Sequence, residues 1–171
     1  MLSGCATDVV VERVGHGAGS VVSDPPAIDC GDICTAALPD DGLTLAATPA
    51  VGSVFVGWEG ACTGSGPCAI TVDDPVQVAA RFELTRQPLD VAVAGPGKGL
   101  VTAPGIACGT YCSELYPYGA TVTLHARPLG SARFAGWSGG CAGSDPTCTI
   151  VLHAPVAIEA RFDVSAAIAR R

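Results

Sequence analysis

The chain has 171 residues, of which 49% are hydrophobic and only 15% are charged, and its formal net charge is −7. Its nine Lys and Arg residues form no basic stripe that could neutralise phosphates, so we expect no nucleic-acid partner. Nine cysteines in so short a chain indicate an oxidising compartment, where disulfides replace part of a hydrophobic core. A cytosolic location is therefore disfavoured.

An internal repeat organises the chain. The segment GHGAGSVVS returns as GPGKGLVTA, CGDIC as CGTYC, and FVGWEGAC as FAGWSGGC. Near the end of each copy, PCAITVDDPVQVAARFEL returns as TCTIVLHAPVAIEARFDV. The repeat predicts five segments: a lead (1–7), repeat one (8–84), a short joint (85–88), repeat two (89–164) and a tail (165–171).

Within each repeat the hydrophobic period is two, which is typical of half-buried strands. In chain order, the pattern predicts strands near 9–14, 20–23, 43–47, 53–57, 69–72 and 76–84, with counterparts in the second copy. Each repeat should therefore be a small all-β unit of about five short strands. The glycine-rich GHGAG and GPGKG stretches lead into strands and not helices, so we interpret them as hairpin turns instead of phosphate loops.

Four cysteines occupy matching positions in each repeat and could pair in three ways. The glycine after the first cysteine permits the tight turn that a short-range disulfide needs. We therefore predict two local disulfides in each repeat: Cys30 with Cys34, Cys62 with Cys68, Cys108 with Cys112, and Cys141 with Cys148. The rival interpretation is a four-cysteine zinc site in each repeat, although zinc ribbons more often use two-residue spacings. We predict no metal and no cofactor.

Aromatic residues fall into two groups. Those shared by both copies are predicted to fill the cores beside the disulfides: Phe55, Trp58, Phe82, Phe134, Trp137 and Phe162. An exposed tryptophan platform for a sugar or a peptide is the alternative. The second group is confined to repeat two and marks a candidate ligand surface: Tyr111, Tyr116 and Tyr118.

The remaining polar residues give no sign of catalysis, and we expect no enzyme. His16, His125 and His153 have no counterparts in the other copy, so they are interpreted as surface residues and no Ser-His-Asp constellation can be assembled. Two pairs of acidic residues lack the spacing of calcium loops and are interpreted as turn residues: Asp40 and Asp41, and Asp73 and Asp74.

Taken together, the motifs G-x-G-x-G-x-V, C-G-x-x-C, F-x-G-W-x-G-x-C and the closing A-R-F resemble the divergent InlB B-repeat domain, a bacterial extracellular repeat. The resemblance covers nearly the whole chain twice. It implies two small β-grasp-like or β-sandwich-like domains that serve as stalks or accessory modules of surface or secreted proteins. It carries no catalytic residues.

Cys5 is the only cysteine outside the repeats, and Leu2-Ser3-Gly4-Cys5 is similar to a bacterial lipobox. That resemblance implies lipidation of Cys5 and a signal segment encoded upstream, whereas the alternative is an incidental free thiol. We therefore expect an exported monomer that lipid holds to the cell envelope, outer membrane or cell surface. It would act as a spacer or adhesion-type module, and its protein or glycan partner is unknown. The alternative is a soluble secreted module that binds carbohydrate or peptide through the tyrosines of repeat two.

Overall fold

The computed structural model describes residues 7–38, 42–71, 73–109 and 111–165, without the side chains of Cys108 and Tyr111. In this part of the chain every regular element is a β-strand, as the period-two pattern predicts. The chain divides into two compact units, Met1–Thr85 and Arg86–Arg171, which correspond to the two repeats.

The described part of unit 1 contains seven strands in two sheets. They are β1 (Thr7–Val14), β2 (Gly19–Asp24), β3 (Thr35–Leu38), β4 (Leu43–Pro49), β5 (Ser53–Gly60), β6 (Cys68–Ile70) and β7 (Val76–Leu84). One sheet has the order β3-β1-β7-β5 and the other the order β2-β4-β6. The first and last strands of the unit, β1 and β7, pair in parallel, and the other pairs are antiparallel.

Unit 2 repeats this arrangement, with eight strands among its described residues. They are β8 (Arg86–Ala94), β9 (Gly99–Ala103), β10 (Ile106–Cys108), β11 (Tyr111–Pro117), β12 (Ala120–Pro128), β13 (Ala132–Gly139), β14 (Thr147–Leu152) and β15 (Val156–Val164). The sheets have the orders β11-β8-β15-β13 and β10-β9-β12-β14. Again the first and last strands, β8 and β15, are parallel neighbours.

A separate core fills each unit, built from the residues that alternate along the strands. In β15, for example, Ile158, Ala160 and Phe162 are buried while the residues between them are not. Val9, Leu45 and Phe82 are fully buried in unit 1, and Leu89, Leu124 and Phe162 in unit 2. In β1, whose sequence VVVERV left the register open, Val9 and Val11 are buried whereas Val10 and Glu12 are not.

The glycine-rich segments are not hairpin turns, contrary to the prediction. β1 and β2 belong to different sheets, as do β8 and β9, so each glycine-rich segment carries the chain from one sheet to the other. The crossing passes very close to the last strand: a Cβ added to Gly95 would lie 2.2 Å from the Phe162 carbonyl oxygen, and one added to Gly99 would lie 2.3 Å from the Phe162 ring. The glycines at every second position of this segment therefore pack directly against the phenylalanine of the A-R-F motif.

The boundary between the repeats also differs from the sequence-based division. Residues 86–88 of the expected joint are part of β8 and pair with β11. Pro88 has no amide to donate to its partner Leu115, and the Leu115 carbonyl instead accepts a hydrogen bond from Arg86 Nη1 at 3.2 Å. A proline can thus lie inside a strand where sequence alone favoured a connection. Each unit also has more strands than the five or so that were predicted. The sequences of β3 and β11, TAAL and YCSELYP, do not alternate clearly between apolar and polar residues, so the pattern did not predict these two strands.

Candidate functional site

The F-x-G-W motif forms a β-bulge in both units. The pairing register shifts between Phe55 and Gly57 in β5, and between Phe134 and Gly136 in β13. Gly57 has φ 155° and Gly136 has φ 147°, and a Cβ at either would lie 2.9 Å from a carbonyl oxygen of the loop that follows. Glycine is therefore needed at the bulge, which turns the following tryptophan into the core.

Each tryptophan ties the bulged strand to the adjacent disulfide loop. Trp58 Nε1 donates to the Gly66 carbonyl at 2.7 Å, and Trp137 Nε1 donates to the Asp145 carbonyl at 2.8 Å. Both indoles are buried, and each makes an edge contact with the phenylalanine three residues before it, with ring centroids 5.0 and 5.1 Å apart. The shared aromatic residues therefore have the core role that the sequence predicted, and neither tryptophan is an exposed platform.

Three of the four predicted local disulfides are present in the structure: Cys30–Cys34, Cys62–Cys68 and Cys141–Cys148. Their six sulfurs are therefore not thiolate ligands, which removes the zinc interpretation for these residues. Cys112 forms no disulfide with a described side chain, and its predicted partner Cys108 has a side chain outside the described part, so that pair stays a prediction. Among the described residues, no group of three or more His, Cys, Asp or Glu side chains is arranged to hold a metal ion.

Removing the Cys141–Cys148 bond with a Cys141→Ala/Cys148→Ala double variant is expected to lower the free energy of unfolding of unit 2 by about 2 kcal/mol, because the closed loop is short. The loop also holds the acceptor for Trp137 Nε1, so local opening should accompany the loss. Urea unfolding in a Trp58→Phe background, where Trp137 is the only tryptophan, measures the change. An unchanged midpoint would contradict the structural role of this disulfide.

Tyr116 and Tyr118, the two tyrosines of repeat two whose side chains are described, have different surroundings. Tyr116 is half-buried in the core of unit 2 and its hydroxyl donates to the Pro104 carbonyl. Burial, together with the negative charge of Glu114, raises the pKa of Tyr116. Tyr118 lies instead against His153, with ring centroids 4.9 Å apart, and the side chain of Tyr111 is outside the described part. The ligand surface therefore stays a prediction.

The histidines make separate surface contacts. His16 Nδ1 lies 3.3 Å from Glu83 Oε2, and His125 Nδ1 lies 3.5 Å from the Thr147 hydroxyl. His153 lies against Tyr118, so each histidine has a different partner, and no described serine forms a hydrogen bond with any of them. Asp73 and Asp74 are exposed in the turn before β7, whereas Asp40 and Asp41 lie outside the described residues, as does Cys5.

The outer face of the four-stranded sheet in unit 1 is crossed by polar pairs. Arg81 Nε donates to Glu59 Oε1 at 2.5 Å, a hydrogen bond that lowers the pKa of Glu59 and raises the pKa of Arg81. The backbone amide of His16 donates to Glu83 and is the main cause of the lowered pKa of that carboxyl. Next to these residues, Gln77 Nε2 donates to Glu12 Oε1 at 2.8 Å.

The same face of unit 2 carries a shallow depression where unit 1 has these pairs. Ala92, Ala157 and Ser138 take the places of Glu12, Gln77 and Glu59. The depression has a volume of about 280 Å³ and its polar lining comes from Asp90, Ser138 and Glu159. It was not predicted, although the replacement of a long polar side chain by a small one could have been found by aligning the two copies.

The family model of the divergent InlB B-repeat domain matches the chain twice, over residues 10–86 and 89–166. The chain belongs to the divergent InlB B-repeat family. Membership in this family identifies the two units as tandem extracellular surface repeat modules, in agreement with the resemblance of their motifs. Each match begins within the first strand of a unit and ends two residues after its last strand.

Comparison with solved structures extends the likeness to the fold. The Bacillus anthracis TIE protein is 8% identical with a TM-score of 0.56; the match covers 94% of this chain and 34% of that one, so the chain spans about a third of its length. The Streptococcus agalactiae minor pilin GBS52 is 7% identical with a TM-score of 0.35, covering 97% of this chain and 99% of that one. The Streptococcus pyogenes major pilin T-13 is 9% identical with a TM-score of 0.38, covering 96% and 98% respectively. None of the curated proteins matches the chain.

Proposed function

We propose that this protein is a non-enzymatic lipoprotein of the bacterial cell envelope, in which two disulfide-linked β repeats act as a spacer or adhesion-type module anchored through Cys5. The observation that carries the proposal is the double family match, which assigns residues 10–166 almost entirely to extracellular repeat modules. Cys5 precedes these modules and is the only cysteine without a counterpart in the repeat pattern.

The packing supports a role that requires resistance to unfolding outside the cell. Each unit joins its first and last strands in the centre of a sheet, so the chain enters and leaves through the most extensively paired part of the fold. The disulfides Cys62–Cys68 and Cys141–Cys148 restrain the connections that follow the bulged strands, and Cys30–Cys34 restrains the connection between β2 and β3. Such a unit suits a spacer, because its ends are fixed to its core.

Lipid attachment explains how such a module would be retained. A single acyl chain gives only marginal membrane binding, whereas the two or three chains of a mature bacterial lipoprotein hold it firmly. The lipobox-like residues Leu2-Ser3-Gly4 before Cys5 fit cleavage in front of the cysteine. The described part of the chain contains no helix that could cross a membrane.

The proposal predicts that Cys5→Ser releases the protein from the membrane. The gene with its own upstream sequence would be expressed in its host, and detergent-phase partitioning would be combined with mass spectrometry of the N-terminal peptide. We expect an acylated Cys5 at the N-terminus of the native protein and recovery of the Cys5→Ser protein in the soluble phase.

Cys112→Ser is the matched control, since it replaces a cysteine far from the lipobox-like segment, and it should stay in the detergent phase. An unmodified Cys5 in membrane-free native protein would refute the anchoring role.

A further inference from the structure

Exposed strand edges are sites at which another chain can add a strand, and proteins usually protect them. Of the eight edge strands in the four sheets of the described chain, seven are short, irregular, covered or polar. β3, β6 and β10 have three or four residues, and β5 and β13 carry bulges covered by the disulfide loops. β2 is covered by residues 28–30, and β11 contains Glu114 and ends at Pro117.

The eighth edge strand, β14, has none of these protections. It has six residues, TCTIVL, with no charge, no proline and no register shift against β12. Thr147, Thr149, Ile150 and Val151 are β-branched, and Val151 is 49% exposed. Its counterpart in unit 1, β6, has only three residues. An uncharged six-residue segment of high β-propensity at a sheet edge is the pattern that favours pairing with another strand.

The backbone groups that face the open edge can be assigned from the register. Because the Ala126 amide donates to the Pro146 carbonyl and antiparallel strands bond at every second residue, Cys148, Ile150 and Leu152 bond to β12. The amides and carbonyls of Thr147, Thr149 and Val151 therefore point away from the sheet. The Thr147 amide is held by Asp145 Oδ1 at 2.8 Å, which leaves the groups around Thr149 as the centre of the edge.

We propose that β14 pairs with β14 of a second copy of this chain, in antiparallel orientation about a two-fold axis at Thr149. This register joins Thr149 to Thr149 and Thr147 to Val151, giving roughly four backbone hydrogen bonds even if Asp145 keeps its bond to the Thr147 amide. The two four-stranded sheets become one continuous eight-stranded sheet. No like charges face each other along the paired segment.

Hydrogen-bonding complementarity at the ends of the segment selects a second copy as the occupant. Asp145 lies four residues before Thr149 and His153 lies four residues after it. With the axis at Thr149, Asp145 of each copy is opposite His153 of the other, and an imidazole N–H can donate to a carboxylate. Asp145 and His153 are both exposed. Unit 1 has no equivalent Asp–His pair, because Asp73 stands at the position that corresponds to His153.

A dimer of this kind would differ from the monomer expected from the sequence, and it does not depend on lipid attachment. An isologous contact of this kind is closed, so it yields a dimer and not a fibre. Between molecules held at one surface, the high effective concentration would favour even a weak contact.

The test introduces a charge of either sign at Thr149, the residue on the two-fold axis. The full chain, with its free thiols alkylated, is studied by sedimentation velocity. We expect a concentration-dependent dimer for the native sequence. Thr149→Lys and Thr149→Glu should each raise the dissociation constant at least about tenfold, because like charges meet directly at the axis. Mixing the two variants in equal amounts should restore a dimer, since opposite charges then meet.

Thr121→Lys is the matched control, because Thr121 is an exposed threonine on the neighbouring strand β12, opposite Val151, and is not at the edge. It should dimerise like the native chain. A native chain that stays monomeric up to about 0.5 mM would overturn the proposal. The proposal would also fail if the native chain dimerised but the two Thr149 variants did not associate when mixed.

Discussion

Replacing Gly95 with alanine is expected to unfold unit 2, with a loss of at least about 4 kcal/mol in the free energy of unfolding. Two effects add at this position. Gly95 has φ 92°, a conformation that costs a residue with a side chain about 1–2 kcal/mol, and its added Cβ would lie 2.2 Å from the Phe162 carbonyl oxygen. That oxygen is fixed because it accepts the Gly97 amide at 2.9 Å.

Gly130→Ala separates the two effects. Gly130 also has a positive φ, of 62°, but an added Cβ meets no atom within 4 Å. It should therefore cost only the conformational strain of about 1–2 kcal/mol. Hydrogen exchange measured by mass spectrometry gives the amide protection of peptides from residues 86–165 in both variants. These peptides belong to unit 2, which contains both glycines. Equal losses of protection in the two variants would mean that the close approach to Phe162 contributes nothing.

Unit 1 offers an independent repetition of this experiment. Gly15 has φ 96°, and its added Cβ would lie 2.1 Å from the Phe82 carbonyl oxygen. The two copies have different intervening residues, GHGAG and GPGKG, yet the same glycines approach the same carbonyl. The glycine pattern is therefore explained by the passage of the chain across the last strand of each unit, and a phosphate ligand is not required to account for it.

Much of the fold could be predicted from the sequence because the chain repeats itself. The repeat defined two units, and the alternation in segments such as VAIEARFDV identified strands and their buried faces, including Phe82 and Phe162. Family membership and the all-β architecture were thus accessible from motifs alone. The local disulfides of the first copy were accessible too, because the turns between their cysteines are short.

The features that were missed depend on which strands become neighbours. A glycine-rich turn does not reveal whether the next strand joins the same sheet, so the sequence predicts a hairpin at residues 95–99 where the structure has a crossing between sheets. The open edge at β14 follows from its place beside β12, which its own six residues do not specify. The depression around Ala92 and Ala157 arises only when β8 and β15 are aligned in parallel register.

Gly99 and Phe162 are expected to be coupled, because Gly99 makes room for the phenyl ring. A Cβ at Gly99 would lie 2.3 Å from the ring, which is fully buried and cannot withdraw because Phe134 packs against it with ring centroids 5.4 Å apart. Gly99→Ala alone should therefore cost about 2–3 kcal/mol by overpacking. Phe162→Leu alone should cost about 1–2 kcal/mol, since it removes buried surface.

In the double variant the smaller leucine leaves space for the new methyl group, so the combined loss should fall short of the sum by at least about 1 kcal/mol. Urea unfolding of the single and double variants measures this coupling. Gly99→Ala combined with Ile158→Val is the control, because Ile158 is buried in the same core but four residues, or roughly 13 Å, away from Phe162 along β15. Its losses should add. If the losses of Gly99→Ala and Phe162→Leu were also additive, the phenyl ring would not be the reason for glycine at position 99. The co-occurrence of the G-x-G-x-G and A-R-F motifs would then need another cause.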